Sequence, residues 1–371
     1  MGSAPVQPRL VSLDVVRGLT VAGMVLVNNP GTWSAIYAPL RHAAWHGWTP
    51  TDMVFPFFVF IVGVAIPMAL GPRLDRAGRG GALERVVRRS AIIFGLGLFL
   101  QALPSFNWAT LRIPGVLQRI ALCYLAAGIL FLVTSWRTQA VITAGLLLGY
   151  WAVMILVPVP GYGAGDLSPA GNLAAYVDRA ILGEAHMWRV SRVYDPEGIL
   201  STLPAIATAL LGVLTGQWLR RQPTTGATVV RLALAGVVLT AVGLIWGAWF
   251  PVNKSLWTSS YVVLMGGLAL ITLALCYWLI EVHGHRHWAV PFVVFGVNAL
   301  ALYFLSSAVA QMLVTIRVGA ENATLKSALF NWLFAPWASP INASLAYACA
   351  YLSVWWGLMW VLYWRRIVLR V

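Results

Sequence analysis

The chain has 371 residues, 60% hydrophobic and only 10% charged. A soluble domain carries about 25% charged residues, so there are too few here to solvate a globule of this length, and a water-soluble enzyme or binding module is excluded. The net charge of +14, from 25 Lys and Arg against 11 Asp and Glu, would suggest nucleic acid in a soluble chain. Here the basic residues gather in short loops between apolar blocks, so they read as topology signals and nucleic acid is not an expected partner.

The apolar residues fall into blocks of roughly 20, the length of helix that crosses a hydrocarbon core. Spans are expected near 10–29, 51–71, 88–104, 113–134, 138–157, 198–219, 228–250, 257–280, 289–315 and 341–364. The first block contains Asp14 and Arg17 and lacks a small-residue cleavage site, so no cleavable signal peptide is expected. Segment 324–338 is apolar but short and holds Pro336, which suits a re-entrant or interfacial piece better than a span. The fold class is therefore all-α: one polytopic transmembrane bundle over 1–371, of about ten spans plus that short segment. The basic loops at Arg73–Arg89, Arg137, Arg220–Arg221 and Arg286 alternate onto one face, expected to be cytoplasmic. Ten spans return Arg365, Arg366 and Arg370 to it, so both termini are expected inside. Loops 30–50, 105–112, 158–197, 251–256 and 316–340 then face outward. Cys123, Cys276 and Cys349 all lie in apolar segments and suggest neither disulfides nor a metal.

Charges inside spans are costly and therefore informative. Asp14 and Arg17 share one face of the first helix and can pair, although a cytoplasmic helix start explains them equally well. Asn28 ends that helix, where it also reads as a stop signal. Next comes Arg41-His42-Ala43-Ala44-Trp45-His46-Gly47-Trp48-Thr49-Pro50-Thr51-Asp52, two histidines and a carboxylate where an outer loop re-enters the membrane. Asp52 can cap the second helix or set the tautomer of a histidine that takes up a proton near neutral pH. Ile113-Pro114-Gly115-Val116-Leu117-Gln118-Arg119 opens the fourth span, with Pro114 in the first turn. Arg119 then lies roughly 10 Å along the helix, deep enough to call for a buried partner or an anionic ligand. Tyr194-Asp195-Pro196-Glu197-Gly198 reads as a capped helix start, with Asp195 as N-cap, or as two carboxylates facing an ammonium group. Lys254, in Pro251-Val252-Asn253-Lys254-Ser255-Leu256-Trp257, is a flanking anchor or an anion ligand. His283-Gly284-His285-Arg286-His287 has the wrong spacing for a metal site in a turn, and no metal is expected.

Taken in order, these stretches resemble the heparan-α-glucosaminide N-acetyltransferase family. They are Ser12-Leu13-Asp14 with Arg17-Gly18, Met24 to Asn28, His42-Ala43-Ala44-Trp45 with Gly47, Asp52 with Phe55-Pro56, Pro114 to Arg119, Tyr194 to Gly198, and Pro251 to Trp257. The similarity runs from about Arg9 to the last span, and the chain is especially similar to the shorter bacterial members that look like glucosamine N-acetyltransferases. The resemblance implies a multi-pass protein of the bacterial inner membrane that transfers acetyl from cytoplasmic acetyl-CoA, without a metal, to a glucosamine amine across the bilayer. It also implies a homodimer. The family's active-site histidine matches His42 and its asparagine matches Asn28; His46 stands where the lysosomal relative has asparagine. The extra luminal region of lysosomal relatives is missing here, which points to a mono- or small oligosaccharide acceptor.

On this basis His42 is expected to act as general base or transient acetyl carrier, and Asn28 to steady the acetyl oxygen. Asp52 or His46 would orient His42. Substrate-binding candidates are Asp14, Arg17, His46, Gln118, Arg119, Asp195, Glu197, Asn253 and Lys254. Two rival functions share these features: a membrane O-acyltransferase of a surface or cell-wall glycan, and a sugar transporter, for which internal repeats are expected and none is evident.

Overall fold

The apolar block near 10–29 forms helix α1, Val11–Asn28, in a computed structural model that describes residues 10–103, 105–319 and 322–369. Pro104, at the end of the third expected span, and Arg370, in the basic cluster after the last one, lie outside those residues. Helix α1 runs through the centre of the bundle: Val15, Val16 and Val21 are fully buried. It packs against helices from both ends of the chain.

Helix α2 covers Pro50–Ala102. As one straight rod its 53 residues would extend about 80 Å, far beyond a hydrocarbon core of about 30 Å. The backbone breaks at Gly78, with φ 67 and ψ −178, a conformation open to glycine but strained for other residues. The two halves correspond to the expected spans 51–71 and 88–104. Next come α3 (Val116–Val133), α4 (Trp136–Leu156), α5 (Leu173–Leu182), α6 (Thr202–Leu219), α7 (Gly226–Trp246) and α8 (Ser259–Tyr277). The last four helices are α9 (Val290–Val297), α10 (Ala299–Thr315), α11 (Leu325–Leu333) and α12 (Pro340–Trp364). Two short antiparallel hairpins, β1–β2 (Pro158–Val159 with Gly163–Ala164) and β3–β4 (Arg317–Val318 with Ala323–Thr324), sit in loops.

Among the described residues eight helices are long and apolar enough to cross a membrane, or nine if α9 and α10 form one broken span. The second half of α2 is not among them. Arg85, Arg88 and Arg89 interrupt it, and the apolar stretch after Arg89 covers only about 20 Å at 1.5 Å per residue. The expected span 289–315 is not a single rod, because α9 and α10 meet at 69° across Asn298. Helix α11 has nine residues, too few to cross a bilayer.

Small residues let the central helices approach closely. A Cβ on Gly63 of α2 would strike the carbonyl of Ala209 in α6, and one on Gly212 would strike that of Phe60. Backbone proximity of this kind holds helices together where lipid removes the hydrophobic drive. Helices α4, α7 and α12 leave most of their apolar surface uncovered, as lipid-facing helices do. A second apolar cluster (Tyr150, Met154, Val159, Leu173, Phe250, Leu256) joins α4 and α5 to the turn before α8, anchoring the loop that leads to the site.

Candidate active site

The start of α2 explains how a loop histidine is held. Asp52 is 1% exposed, and its two oxygens have separate tasks. Oδ2 accepts from the backbone N–H groups of Thr49 and Ala43, both at 3.0 Å, and from the Thr49 hydroxyl at 3.1 Å. That is a helix cap. Oδ1 lies 2.6 Å from His42 Nδ1. A carboxylate at that distance accepts the hydrogen bond from Nδ1–H, which leaves Nε2 as the acceptor nitrogen of the ring. Both readings of Asp52 therefore hold together, one on each oxygen, and Asp52 rather than His46 is the residue in contact with His42. The imidazole is 41% exposed, so its free edge is open to a substrate.

The turn before α8 brings a cation to the same place. The Gly47 N–H donates to the Val252 carbonyl at 2.7 Å, and the Tyr261 hydroxyl donates to the Asp52 carbonyl at 2.6 Å. Asn253, fully buried, accepts from the Leu256 N–H at 2.9 Å and places its Nδ2 3.3 Å from His46 Nδ1. Lys254 Nζ then lies 3.0 Å from His42 Nδ1, 3.4 Å from Nε2 and 3.5 Å from Asp52 Oδ1. With the Nδ1 proton committed to Asp52, the ammonium cannot donate there; it serves the carboxylate and borders the open Nε2 edge. Burial lowers the proton affinity of Lys254 against the opposing pull of Asp52 and Glu197. Burial also favours neutral His46.

Around this cluster stands a hydrogen-bonded scaffold. Trp45 meets Tyr194 edge-on at 4.8 Å and donates its indole N–H to the Leu167 carbonyl at 2.9 Å. The turn 194–198 is not the N-terminus of α6, which begins at Thr202 behind Ser201. It is held instead by two arginines. Arg112 forks onto Asp195 at 2.9 and 2.6 Å and reaches Glu197 at 2.6 Å. Although burial opposes its charge, the bonds and charges of Asp195 and Glu197 raise the proton affinity of Arg112 well above that of an ordinary arginine. Arg119 is 1% exposed, donates to the carbonyls of Pro196 and Gly198 at 2.8 and 3.0 Å, and lies over the Trp257 ring. Because α3 starts at Val116 rather than Ile113, Arg119 is only about 5 Å along it. Its hydrogen-bond partners are backbone carbonyls and Ser201, with Nε buried and unpartnered. The sequence reading missed Arg112 as a functional residue. Its signal was a basic residue on a loop expected to face outward, against the positive-inside trend.

Asp178 of α5 accepts from the Ile199 N–H at 2.8 Å and ties that helix to the turn. Burial pushes its carboxyl up to about 7. A carboxyl raised in the folded state contributes stability below its unfolded pKa of about 3.9; that contribution is lost as pH rises through the folded value. Asp178→Asn is therefore expected to flatten a decline in melting temperature between pH 5 and pH 8. An unchanged slope in the variant would contradict this.

The remaining candidates lie elsewhere. Asn28 is exposed at the C-terminal end of α1 and lines a cavity of about 300 Å³ with Asn29, Trp33, Gln311, Lys326 and Tyr347. Neither Asn28 nor Gln118 joins the hydrogen bonds of the His42 cluster. Gln118 is buried at the start of α3, with Nε2 unpartnered. Asp14 and Arg17 pair at 3.0 Å at the opposite end of α1. There Arg17, Arg85, Arg88 and Arg89 line a cavity of about 550 Å³ with Phe58, Ile66 and Tyr124. Arg89 also lies over the Tyr124 ring at 5.0 Å. The sequence reading treated the last three arginines as topology signals alone.

A family model described as heparan-alpha-glucosaminide N-acetyltransferase, catalytic, matches residues 9–243, a range that includes His42, Asp52, Arg112 and the four arginines of the cavity. The chain is similar to the heparan-alpha-glucosaminide N-acetyltransferase of Homo sapiens, 32% identical over 80% of this chain and 52% of that protein. It is similar to the Mus musculus protein of the same name at 31%, over 80% of this chain and 53% of that one. The chain thus spans about half the length of these curated relatives. With its multi-pass helical bundle and the extent of the family match, this chain belongs to the heparan-alpha-glucosaminide N-acetyltransferase catalytic family.

Proposed function

We propose that this chain is a transmembrane N-acetyltransferase, a single domain moving acetyl from cytoplasmic acetyl-CoA to the amine of glucosamine or a small glucosaminide on the opposite face. The observation that carries this is the relation of two sites along α2. The arginine cavity extends up the first half of α2 to Phe58, about 9 Å of helix axis short of Asp52. Four cations suit the phosphates of a nucleotide, and an apolar passage suits an acyl-bearing arm. Beyond its end, past that further stretch of α2, stands the His42 imidazole. The basic loops favour the arginine cavity on the cytoplasmic side and His42 on the outer side; this reading has both ends inside and about ten crossings, and it counts as one of them the second half of α2, which is shorter than the eight or nine helices of full membrane length.

In this reading His42 Nε2 removes a proton from the sugar ammonium, and the freed amine attacks the thioester carbon. Negative charge develops on the acetyl oxygen, where the Lys254 ammonium supplies the compensating cation. Collapse breaks the C–S bond; the departing thiolate takes the proton from His42, and the second proton of the attacking nitrogen passes to solvent, leaving the neutral amide. Asn28 lines the neighbouring cavity at the same end of α1, where it offers an amide to the sugar rather than to the acetyl oxygen, and Asp195 and Glu197, committed to Arg112, brace the turn beside the site. Arg119, spent on backbone carbonyls, holds this turn in place. His46 and Asn253 position the Lys254 turn, Asp14 fixes Arg17, and Gln118 offers a free buried donor between α2 and α3.

The nucleotide part of this reading is tested by Arg85→Gln/Arg88→Gln. The double variant is expected to raise the KM for acetyl-CoA by about tenfold or more, as loss of charge-assisted phosphate contacts does, and to leave kcat and the KM of the sugar near wild type. An unaltered KM for acetyl-CoA would remove the nucleotide from this cavity. Mass spectrometry with a panel of amino sugars and their N-acetylated forms tests the acceptor; transfer to a hydroxyl of N-acetylglucosamine but not to glucosamine would overturn amine chemistry.

A further inference from the structure

One side of the arginine cavity is built by a segment that belongs to no helix. At the end of α12 the Arg366 N–H donates to the Tyr363 carbonyl at 3.0 Å and the Ile367 N–H to the Leu362 carbonyl at 2.8 Å. Arg366 itself has φ 57. This pair of bonds around one left-handed residue is a Schellman turn, here made without glycine, and it reverses the chain. Residues 367–369 then run back toward the break between α9 and α10. There Asn298, 2% exposed, donates its Nδ2 to the Ile367 carbonyl at 3.1 Å and accepts at Oδ1 from the Leu369 N–H at 2.9 Å. One amide satisfies two backbone groups as a neighbouring strand would.

The position of Asn298 sharpens the point. It stands at the N-cap of α10, where asparagine is favoured because its side chain can cap the helix. Its side chain makes no cap bond; both polar atoms are given to the returning segment. Val368, Leu369 and Asn298 line the same cavity as the four arginines. A nucleotide needs both surfaces there, cations for its phosphates and an apolar wall for its base.

We propose that Asn298 is a positioning residue for the co-substrate: it fixes residues 367–369 as the apolar wall on which the purine of acetyl-CoA rests, while the arginines hold the phosphates. The proposal rests on the acetyl-CoA reading above, and acetyl-pantetheine, a thioester without the nucleotide, separates the two. Three proteins are compared in detergent: wild type, Asn298→Leu, which removes both amide bonds at similar volume, and Leu369→Pro, which removes the N–H donor together with the leucine side chain of the wall. The second variant keeps the test alive if the first does not fold. Both variants are expected to raise the KM for acetyl-CoA by about tenfold, with kcat within about twofold and the kinetics with acetyl-pantetheine unchanged. Equal impairment of both thioesters would reduce Asn298 to a structural role and overturn the proposal, as would a wild-type preference for acetyl-CoA retained in both variants. A wild-type protein that does not distinguish acetyl-CoA from acetyl-pantetheine would refute the nucleotide site itself, and the proposal with it.

Discussion

His42→Ala is expected to lower kcat for amino-sugar acetylation by about 10²–10⁴-fold, the usual contribution of a positioned general base, with little change in thermal stability. The imidazole is 41% exposed and supports no helix, so its removal leaves the bundle intact. Asp52→Asn is the informative companion. An asparagine can still accept at the helix cap from Thr49 and Ala43, which spares the fold. Its amide N–H₂ would then face His42 Nδ1, turning that atom into an acceptor and placing the imidazole proton on Nε2. The base is thereby blocked at the atom that should receive the proton, so kcat should fall nearly as far as in His42→Ala. Steady-state kinetics on both variants decide the matter. Near-normal turnover in a folded His42→Ala protein would end the general-base mechanism.

Arg112→Ala has the largest expected effect on stability. It leaves the Asp195 and Glu197 carboxylates, whose side chains are 0% and 10% exposed, without their cation. Breaking a buried pair from one side costs about 3–5 kcal/mol, because the stranded charge remains. The melting temperature in detergent should drop sharply, and the Asp195 turn should lose its protection against proteolysis. Removing the stranded charges as well, in Arg112→Ala/Asp195→Asn/Glu197→Gln, should recover a large part of that loss. A single variant as stable as wild type would show that this network does not brace the outer face.

What could be read from the sequence was chiefly what lies within a few residues. Thr49 and Asp52 form a cap across one helical turn, so the start of α2 and the meeting of His42 with Asp52 followed from local pattern. The apolar blocks marked most of the helices, since length and composition suffice for that. Features that depend on distant pairing were not legible. Asp195 looked like an N-cap because its neighbours are Pro196 and Glu197; Arg112, 83 positions away, makes the same residues a braced turn. Pro114 suggested an earlier start to α3 than Gly115 allows. Arg85, Arg88 and Arg89 served so well as orientation signals that their second role was hidden, because only folding brings Arg17 and Tyr124 to them. The break at Asn298 was invisible for a similar reason: its stabilising partner, residues 367–369, lies 69–71 positions further on.

The central claim is that acetyl enters from the arginine cavity and leaves at His42 on the opposite face. Sealed proteoliposomes of uniform orientation test it, with acetyl-CoA supplied only on the side of the arginine loops and glucosamine only on the other. The claim requires N-acetylglucosamine to accumulate in the compartment that received glucosamine, and this product to vanish in His42→Ala. Acetylation only when both substrates share one compartment would contradict it.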